Sequence, residues 1–355
     1  MSLTFATAAA QDFLCYFGAK HSIEKILPLT GGLINHTYKV HAGNGFSILL
    51  QRFNTDVFKS PQAIQGNYRK IYDFTIANKL SIRLPEPIPA SDGSLLYIDA
   101  SSGYWRAFAF IENSVSFLTA ILPEQAFTTA KTFGQFAASL NGFPATELRT
   151  TIPDFHNLSF RHKQFLQSLE TAGEERMQIA KPWVDALLDR SHYKDFYELI
   201  LAAPDDFKIR VMHHDAKIAN MLFDKATQEV VCVVDFDTTM PGYFFSDLGD
   251  MIRSMACSHD ENHVQFEELS IREDFYNALV NGYFQEMEAV LTTVEKQQIH
   301  QCGLLMYYMQ ALRFLADYLN NDIYYRINYP EQNLHRAINQ VTLLKQLETL
   351  LKSRA

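Results

Sequence analysis

The spacing of hydrophobic positions changes part-way along the chain, and the change divides it. After a short amphipathic stretch at 11–20, "IEKILPLTGGLINHTYKVHAGNGFSILLQRFN" contains three β-like runs, 23–29, 36–41 and 46–52. They are broken by the turn formers Gly31-Gly32 and Gly43-Asn44-Gly45, a pattern that predicts an antiparallel meander. "SPQAIQGNYRKIYDFTIANKL" predicts a helix with Ser60 at the N-cap and Pro61 at the first helical position. "LLYIDASSGYWRAFAFIE" predicts a hairpin turning at Ala100 to Gly103. From Phe117 the apolar residues recur every three or four positions, as in "EQAFTTAKTFGQFAASLNGF". Helical patterns follow at 160–202, 263–289, 293–320 and 331–352, interrupted at 208–237 by the β-like runs "KIRVMHHD", "NMLFD" and "EVVCVVDFD". The expectation is an α+β chain, with a small antiparallel-sheet lobe over residues 1–112 and a larger, mainly helical lobe over 113–355.

Composition narrows the class. With 355 residues, 47% of them hydrophobic and 13% aromatic, the chain can bury a sizeable core and fits two domains or one large domain in two lobes, which argues against a disordered or fibrous protein. The net charge of −9 comes without any Lys/Arg block, so a general grip on nucleic acid is not expected. Cys15, Cys232, Cys257 and Cys302 are far apart and form no C-x-x-C pair, which points to reduced thiols. The N-terminus lacks a basic segment followed by an apolar core, and no run approaches the ~20 apolar residues of a membrane span. A cytoplasmic protein with no membrane partner is expected.

The chemistry concentrates in the β-rich insert. His213-His214-Asp215-Ala216-Lys217-Ile218-Ala219-Asn220 has the form H-x-D-x-x-x-x-N, and Val233-Val234-Asp235-Phe236-Asp237 places an aspartate after a β-branched run. The residues between them read as a hairpin turning at Asp224 to Gln228, so Asn220 and Asp235, at its two outer ends, should lie close together. An amide oxygen and a carboxylate form a hard-oxygen site suited to Mg²⁺ shared with substrate phosphates. Asp215, five residues before Asn220, is then the candidate proton acceptor, which is the catalytic-loop logic of phosphoryl transfer. Taken alone, an aspartate before an apolar run is more often a turn or cap; it is the combination that points to catalysis.

These motifs, with the downstream "DLGD" at 247–250, resemble the aminoglycoside phosphotransferase/choline kinase branch of the protein-kinase-like fold. "GGLINHTYKV", "ILLQRFN", "YWRAFAFIE", "IPDFHN", "DLGDMIRS" and "ALRFLADYLNNDIYY" look more specifically like bacterial N-acetylhexosamine 1-kinases. The resemblance implies a bilobal kinase with ATP as co-substrate and Mg²⁺ as cofactor, acting as a monomer or homodimer. It implies Asp215 as the catalytic base and Asn220 and Asp235 as metal ligands, with Asp237 either a further ligand or structural. His213 and Asp247 would brace the catalytic loop. Lys217 is either a phosphate contact or a solvated loop lysine.

Gly31 and Gly32 would cover the triphosphate, because backbone without Cβ approaches phosphate closely. Asn35 and His36 follow them and are candidates for phosphate and sugar contacts. Backbone groups of Phe110, Ile111 and Glu112 would hold adenine at the hinge. The third strand carries Gln51 and Arg52 where such kinases usually carry a lysine, and the next helix offers Gln65, Asn67 and Arg69 but no well-placed glutamate. Either Arg52 supplies the charge, or Gln51 donates a neutral hydrogen bond and Mg²⁺ does the neutralising.

On the acceptor side, Arg313 and Asp317 are four apart, either an intrahelical ion pair or an arginine aimed at sugar hydroxyls. Tyr324 or Tyr325 would pack on the sugar ring, and Arg253 is a weaker candidate. The implied acceptor is the anomeric hydroxyl of GlcNAc or GalNAc. Choline, homoserine, an aminoglycoside or another sugar are the alternatives, and the missing lysine also admits a nucleotide-binding pseudokinase.

Overall fold

The computed structural model describes residues 3–17, 22–29 and 34–354. The expected Gly31-Gly32 turn lies outside the described residues. The chain divides into two compact units. The first comprises Met1–Ser116, Gly142–Pro153 and Asn220–Met240, and the second Phe117–Asn141, Asp154–Ala219 and Pro241–Ala355. Two later segments therefore group with the N-terminal one, whereas a boundary at residue 112 assigns them to the C-terminal lobe.

The first unit starts with α1 (Leu3–Cys15), followed by β1 (Ile23–Pro28), β2 (His36–Ala42) and β3 (Ser47–Arg52). It continues with α2 (Pro61–Ala77), β4 (Pro87–Ile88), β5 (Tyr97–Ile98), β6 (Tyr104–Ala109) and β7 (Ser114–Val115). The main sheet runs β1-β2-β3-β6-β4, antiparallel throughout, with β5 paired to β6. The meander and the hairpin thus form where the alternation predicts. The first helix begins earlier than the 11–20 stretch, because its run of alanines offers little hydrophobic contrast to read. It buries Ala6, Ala9, Ala10, Phe13 and Leu14, the i, i+3, i+4, i+7 spacing of one helix face. That stripe shares a core with Val40, Ile48, Leu50, Trp105 and Ala107 from the sheet.

Because side chains alternate along a strand, the residues between those apolar ones point to the other face. Thr37 stands opposite Gln51, and Gln51 opposite Arg106. At α2, Ser60 occupies the N-cap but its side chain makes no cap bond. Its carbonyl serves instead, accepting the amides of Ala63 and Ile64 at 3.0 and 3.2 Å. The hairpin β9 (Met221–Asp224) and β10 (Val230–Val233) belongs to this unit, β9 pairing also with β7.

The second unit contains α3 (Pro123–Ser139), α4 (Leu158–Thr171), α5 (Glu174–Leu188), α6 (His192–Ala202) and β8 (Arg210–Met212). Beyond β11 (Met240–Gly242) come α7 (Phe245–Met255), α8 (Glu273–Met287), α9 (Thr293–Gln297), α10 (Gln301–Leu319) and α11 (Gln332–Lys352). The helix expected from residue 263 begins only at Glu273, where Glu273 and Asp274 supply the acidic first turn that suits a helix N-terminus. α7 is not among the expected helices, although Phe245, Leu248, Met251, Ile252 and Met255 recur at helical spacing; its polar residues Asp247 and Asp250 are buried as well. Its Gly249 allows α10 to approach: a Cβ there would lie 2.5 Å from the Cys302 carbonyl oxygen. No helix among the described residues is long and apolar enough to cross a membrane.

Candidate active site

In the first unit, the hairpin does what its sequence predicts. Met221 pairs with Val233, and the Val234 amide donates to the Asn220 carbonyl at 2.9 Å. This places Asn220 across from Val234, one residue before Asp235. Asp235 adopts a left-handed conformation, φ 66° and ψ 62°. A non-glycine residue held there typically stores about 1–3 kcal/mol, a cost that persists where a side chain must be aimed. Asp235 is exposed, whereas Asn220 is buried.

Asp237, two residues on, is buried with 1% of its side chain exposed. Arg106, 3% exposed, pairs with its Oδ1 at 2.5 Å, and Asn35 Nδ2 donates to its Oδ2 at 2.7 Å. Asn35 is held in turn, its Oδ1 accepting the Asn54 amide at 3.0 Å. Arg106 Nε donates to Gln51 Oε1 at 2.9 Å, and Gln51 Nε2 donates to Thr37 Oγ1 at 3.1 Å. A hydrogen-bonded row across three strands therefore ends on the loop that carries Asp235. α2 grips the same loop: Asn67 Nδ2 donates to the Thr239 carbonyl at 3.1 Å, and Tyr68 packs 5.2 Å from the Phe236 ring.

The structure places Arg52 elsewhere. Its Nε lies 3.5 Å from Asp99 Oδ2 and an Nη donates to Ser101 Oγ at 3.1 Å, at the tip of the β5–β6 hairpin. Burial pushes the Asp99 carboxyl up, but hydrogen bonds from Ser101, Trp105 and Gly103 outweigh it and hold it at about 2. A persistent carboxylate thus anchors Arg52 there. The charge beside Gln51 is Arg106, which the sequence reading missed. Its signal was present: an arginine inside the apolar strand "YWRAFA" must find a partner if buried.

At the expected hinge, the Phe110 amide donates to the Ser47 carbonyl at 3.1 Å and the Ile111 carbonyl accepts from Ser114 Oγ at 2.7 Å. Lys39 Nζ lies 2.7 Å from the Glu112 carboxylate and 3.9 Å from the Phe110 ring centroid. This lysine holds the Glu112 carboxyl below its ordinary range. His36, the first residue of β2, is exposed.

In the second unit, Asp215 is half-buried and accepts from Lys217 Nζ at 2.9 Å. The two residues before it are fixed from α7: Asp247 Oδ2 accepts the His213 amide at 3.0 Å and Oδ1 the His214 amide at 2.7 Å. The His213 ring packs edge-on against Phe133, 5.1 Å away. His214 adopts φ 63°, and Gly242 lies against its ring, where a Cβ would come within 2.5 Å. His214 Nδ1 is 3.3 Å from Nδ1 of His156, whose own ring stacks on Phe155 at 4.6 Å.

Burial pushes the Asp247 carboxyl up to about 7, against the pull of the two amides and with Asp250 and Asp215 adding repulsion. An unfolded aspartate titrates near 3.8, so the stability this group contributes is complete below that value and is lost as pH rises through about 7. Between about pH 4 and pH 8 the wild type is expected to lose stability relative to Asp247→Asn in denaturant titrations. Parallel pH profiles for the two proteins would contradict this.

Arg313 and Asp317 do not pair with each other. Asp317 accepts the amides of Tyr324 and Tyr325 at 2.8 and 2.9 Å, together with Asn333 Nδ2 at 2.9 Å. Backbone amides offer the carboxylate a fixed donor pair, and Asp317 thereby tethers the tyrosine loop. Arg313 has its guanidinium 5.6 Å from the Phe155 ring and 5.7 Å from the Tyr325 ring. Tyr324 is exposed at 66% and stands edge-on to Tyr325. Arg253 is neutralised by Asp250 at 3.0 Å and Glu261 at 2.9 Å. Phe155, His156 and Arg161 join this cluster without having been singled out individually from the sequence: the first two lie in the non-periodic loop "IPDFHN" and Arg161 in the first turn of α4.

Residues 25–290 match the model of a phosphotransferase enzyme family. Among known structures, a microcompartment-associated aminopropanol kinase is similar at a TM-score of 0.63 and 18% identity, covering 99% of this chain and 98% of that one. Amicoumacin kinase hAmiN, in complex with AMP-PNP, Ca²⁺ and Ami, is similar at 0.59 and 13% identity, covering 96% of each chain. The choline kinase LicA from Streptococcus pneumoniae is similar at 0.53 and 13%, covering 98% of this chain and 100% of that one. At these identities the likeness shows the fold, an antiparallel N-terminal sheet followed by a mainly helical region.

Proposed function

The chain belongs to this phosphotransferase family, and from that premise we propose that it transfers the γ-phosphoryl of ATP to a sugar hydroxyl, the anomeric hydroxyl of an N-acetylhexosamine. The carrying observation is Arg313 lying near the rings of Phe155 and Tyr325. A sugar presents many hydroxyls and a weakly apolar face, which a hydrogen-bonding cation beside aromatic rings suits. Aminopropanol and choline kinases are named for amine acceptors. A cationic amine beside Arg313 would meet a like charge, so the same observation disfavours it.

The donor set fits Mg²⁺: an amide oxygen from Asn220 and an exposed carboxylate from Asp235 are the hard ligands this ion takes together with phosphates. When bound, the ion neutralises charge on the phosphates. Asp237 already has a guanidinium and an amide on its two oxygens, which supports a positioning role. Arg106 and Gln51 hold that loop and Arg52 is engaged at the hairpin, which supports the reading in which neutralisation falls to the metal. Phe110 to Glu112 would meet adenine through backbone groups.

Asp215 accepts the acceptor's proton on its carboxylate. The anomeric hydroxyl is the most acidic of a sugar's hydroxyls, so orientation and late proton transfer suffice, and positioning supplies most of the rate. The test is a panel of sugars and amino alcohols with ATP and Mg²⁺, the phosphorylated position being assigned by NMR. A hexosamine 1-phosphate is expected. An amine product would replace the acceptor, and nucleotide binding without transfer to any acceptor would favour a nucleotide sensor.

A further inference from the structure

Of the enclosed arginines of the second unit, some are neutralised by carboxylates and others, Arg272 and Arg336 among them, are held by backbone or amide oxygens. Arg176, Arg190, Arg210 and Arg253 each pair with a carboxylate, at 2.7, 2.9, 2.7 and 3.0 Å. Among the described residues neither Arg161 on α4 nor Arg313 on α10 has such a partner. Arg161 is only 8% exposed. Its Nη1 donates to Gln164 Oε1 at 2.8 Å and an Nη2 contact of 3.5 Å reaches the Phe155 carbonyl, while its buried Nε has no hydrogen-bond partner. Arg313 lies against the ring of the same Phe155 and donates to Gln310 Oε1 at 3.0 Å.

A guanidinium taken out of water without a counter-charge is costly, and a second cation nearby adds repulsion. Burial and then Arg313 draw the Arg161 pKa down to about 10. Asp154 opposes this more weakly, and its carboxylate already accepts from Asn157 at 2.7 Å. His156, kept well below its ordinary value by burial and the neighbouring cations, stays neutral and adds no competing charge. The arrangement lacks one component, a negative charge shared by two forked donors.

We propose that Arg161 and Arg313 form an oxyanion subsite beside Phe155 and Tyr325 that binds a carboxylate or phosphate group carried by the acceptor. This rests on reading the cluster as the acceptor side, and it narrows the acceptor from N-acetylhexosamines in general to those that carry an acidic or phosphorylated substituent. Guanidinium forks match both oxyanions geometrically, so the shared chemistry is the planar or tetrahedral oxyanion itself.

The test measures equilibrium binding of inorganic phosphate and of acetate to the full chain in saturating Mg·ADP, so that the nucleotide side is occupied. Arg161→Met and Arg313→Met are each expected to weaken at least one anion tenfold or more, about 1.4 kcal/mol. Tighter phosphate would indicate a phosphorylated acceptor, and tighter acetate a carboxylate-bearing one. Equal affinities in wild type and both variants, or no binding of either anion up to about 50 mM, would overturn the subsite. Should Arg161→Met fail to fold, the half-buried Arg313 variant decides alone. Anion binding that survives while the acceptor panel yields no sugar phosphate would keep the subsite and reject the sugar, so the two readings fail separately.

Discussion

Replacing Asp215 by asparagine is expected to lower turnover by about 10²–10⁴-fold, the range over which a positioned general base contributes, while leaving Mg·ATP binding close to wild type. The substitution is nearly isosteric and keeps a partner for Lys217, which donates to Asp215 at 2.9 Å. The brace behind it is untouched, since Asp247 holds the backbone amides of His213 and His214 and not the Asp215 side chain. What asparagine cannot do is accept a proton at neutral pH. Asp235→Asn is expected to behave differently, weakening metal–nucleotide binding as well as turnover, because on the proposed reading it would remove a charged hard ligand. Steady-state kinetics with nucleotide titrations of both variants separate the roles. Normal turnover in Asp215→Asn would end its assignment as the base.

Arg106→Met is expected to destabilise the first unit by about 3–5 kcal/mol, the usual consequence of stripping one partner from a buried ion pair. Asp237 would remain 1% exposed with only Asn35 bonded to it. Gln51 would lose the donor on its Oε1, so the loss would spread along the row to Thr37. The double variant Arg106→Met/Asp237→Leu is expected to recover much of that stability without recovering nucleotide affinity, because the Asp235 loop would have lost its tie to the sheet. Urea denaturation and nucleotide titration measure the two effects. A single-variant loss below about 1 kcal/mol would place the pair among weak, solvated bridges.

The family, and the fold that goes with it, were legible because the relevant signals are local. Alternation at 36–52 with turn residues between the runs specifies a meander, and a short β-branched hairpin at 221–233 sets Asn220 beside the strand leading to Asp235. Where the signal depended on contrast it faded. The alanine-rich first helix was placed late, and α7, whose apolar residues do recur at helical spacing, was passed over between the "VVDFD" motif and the next long helix. Arg52 and Asp317 show a different limit. Each is a charged residue at a plausible spacing, and each took a partner from a distant part of the chain, Asp99 for one and the amides of Tyr324 and Tyr325 for the other.

By itself the sequence determined which residues carry charge, which turns can form and which strands alternate, since these depend on side-chain chemistry within a few positions. Tertiary structure decided which charges are neutralised. Arg106 is committed to Asp237 and Arg253 to Asp250 and Glu261, whereas Arg161 and Arg313, both beside Phe155, have no carboxylate partner among the described residues. The physical reason is that Coulomb energy and desolvation depend on distance and burial, and neither is a property of sequence separation.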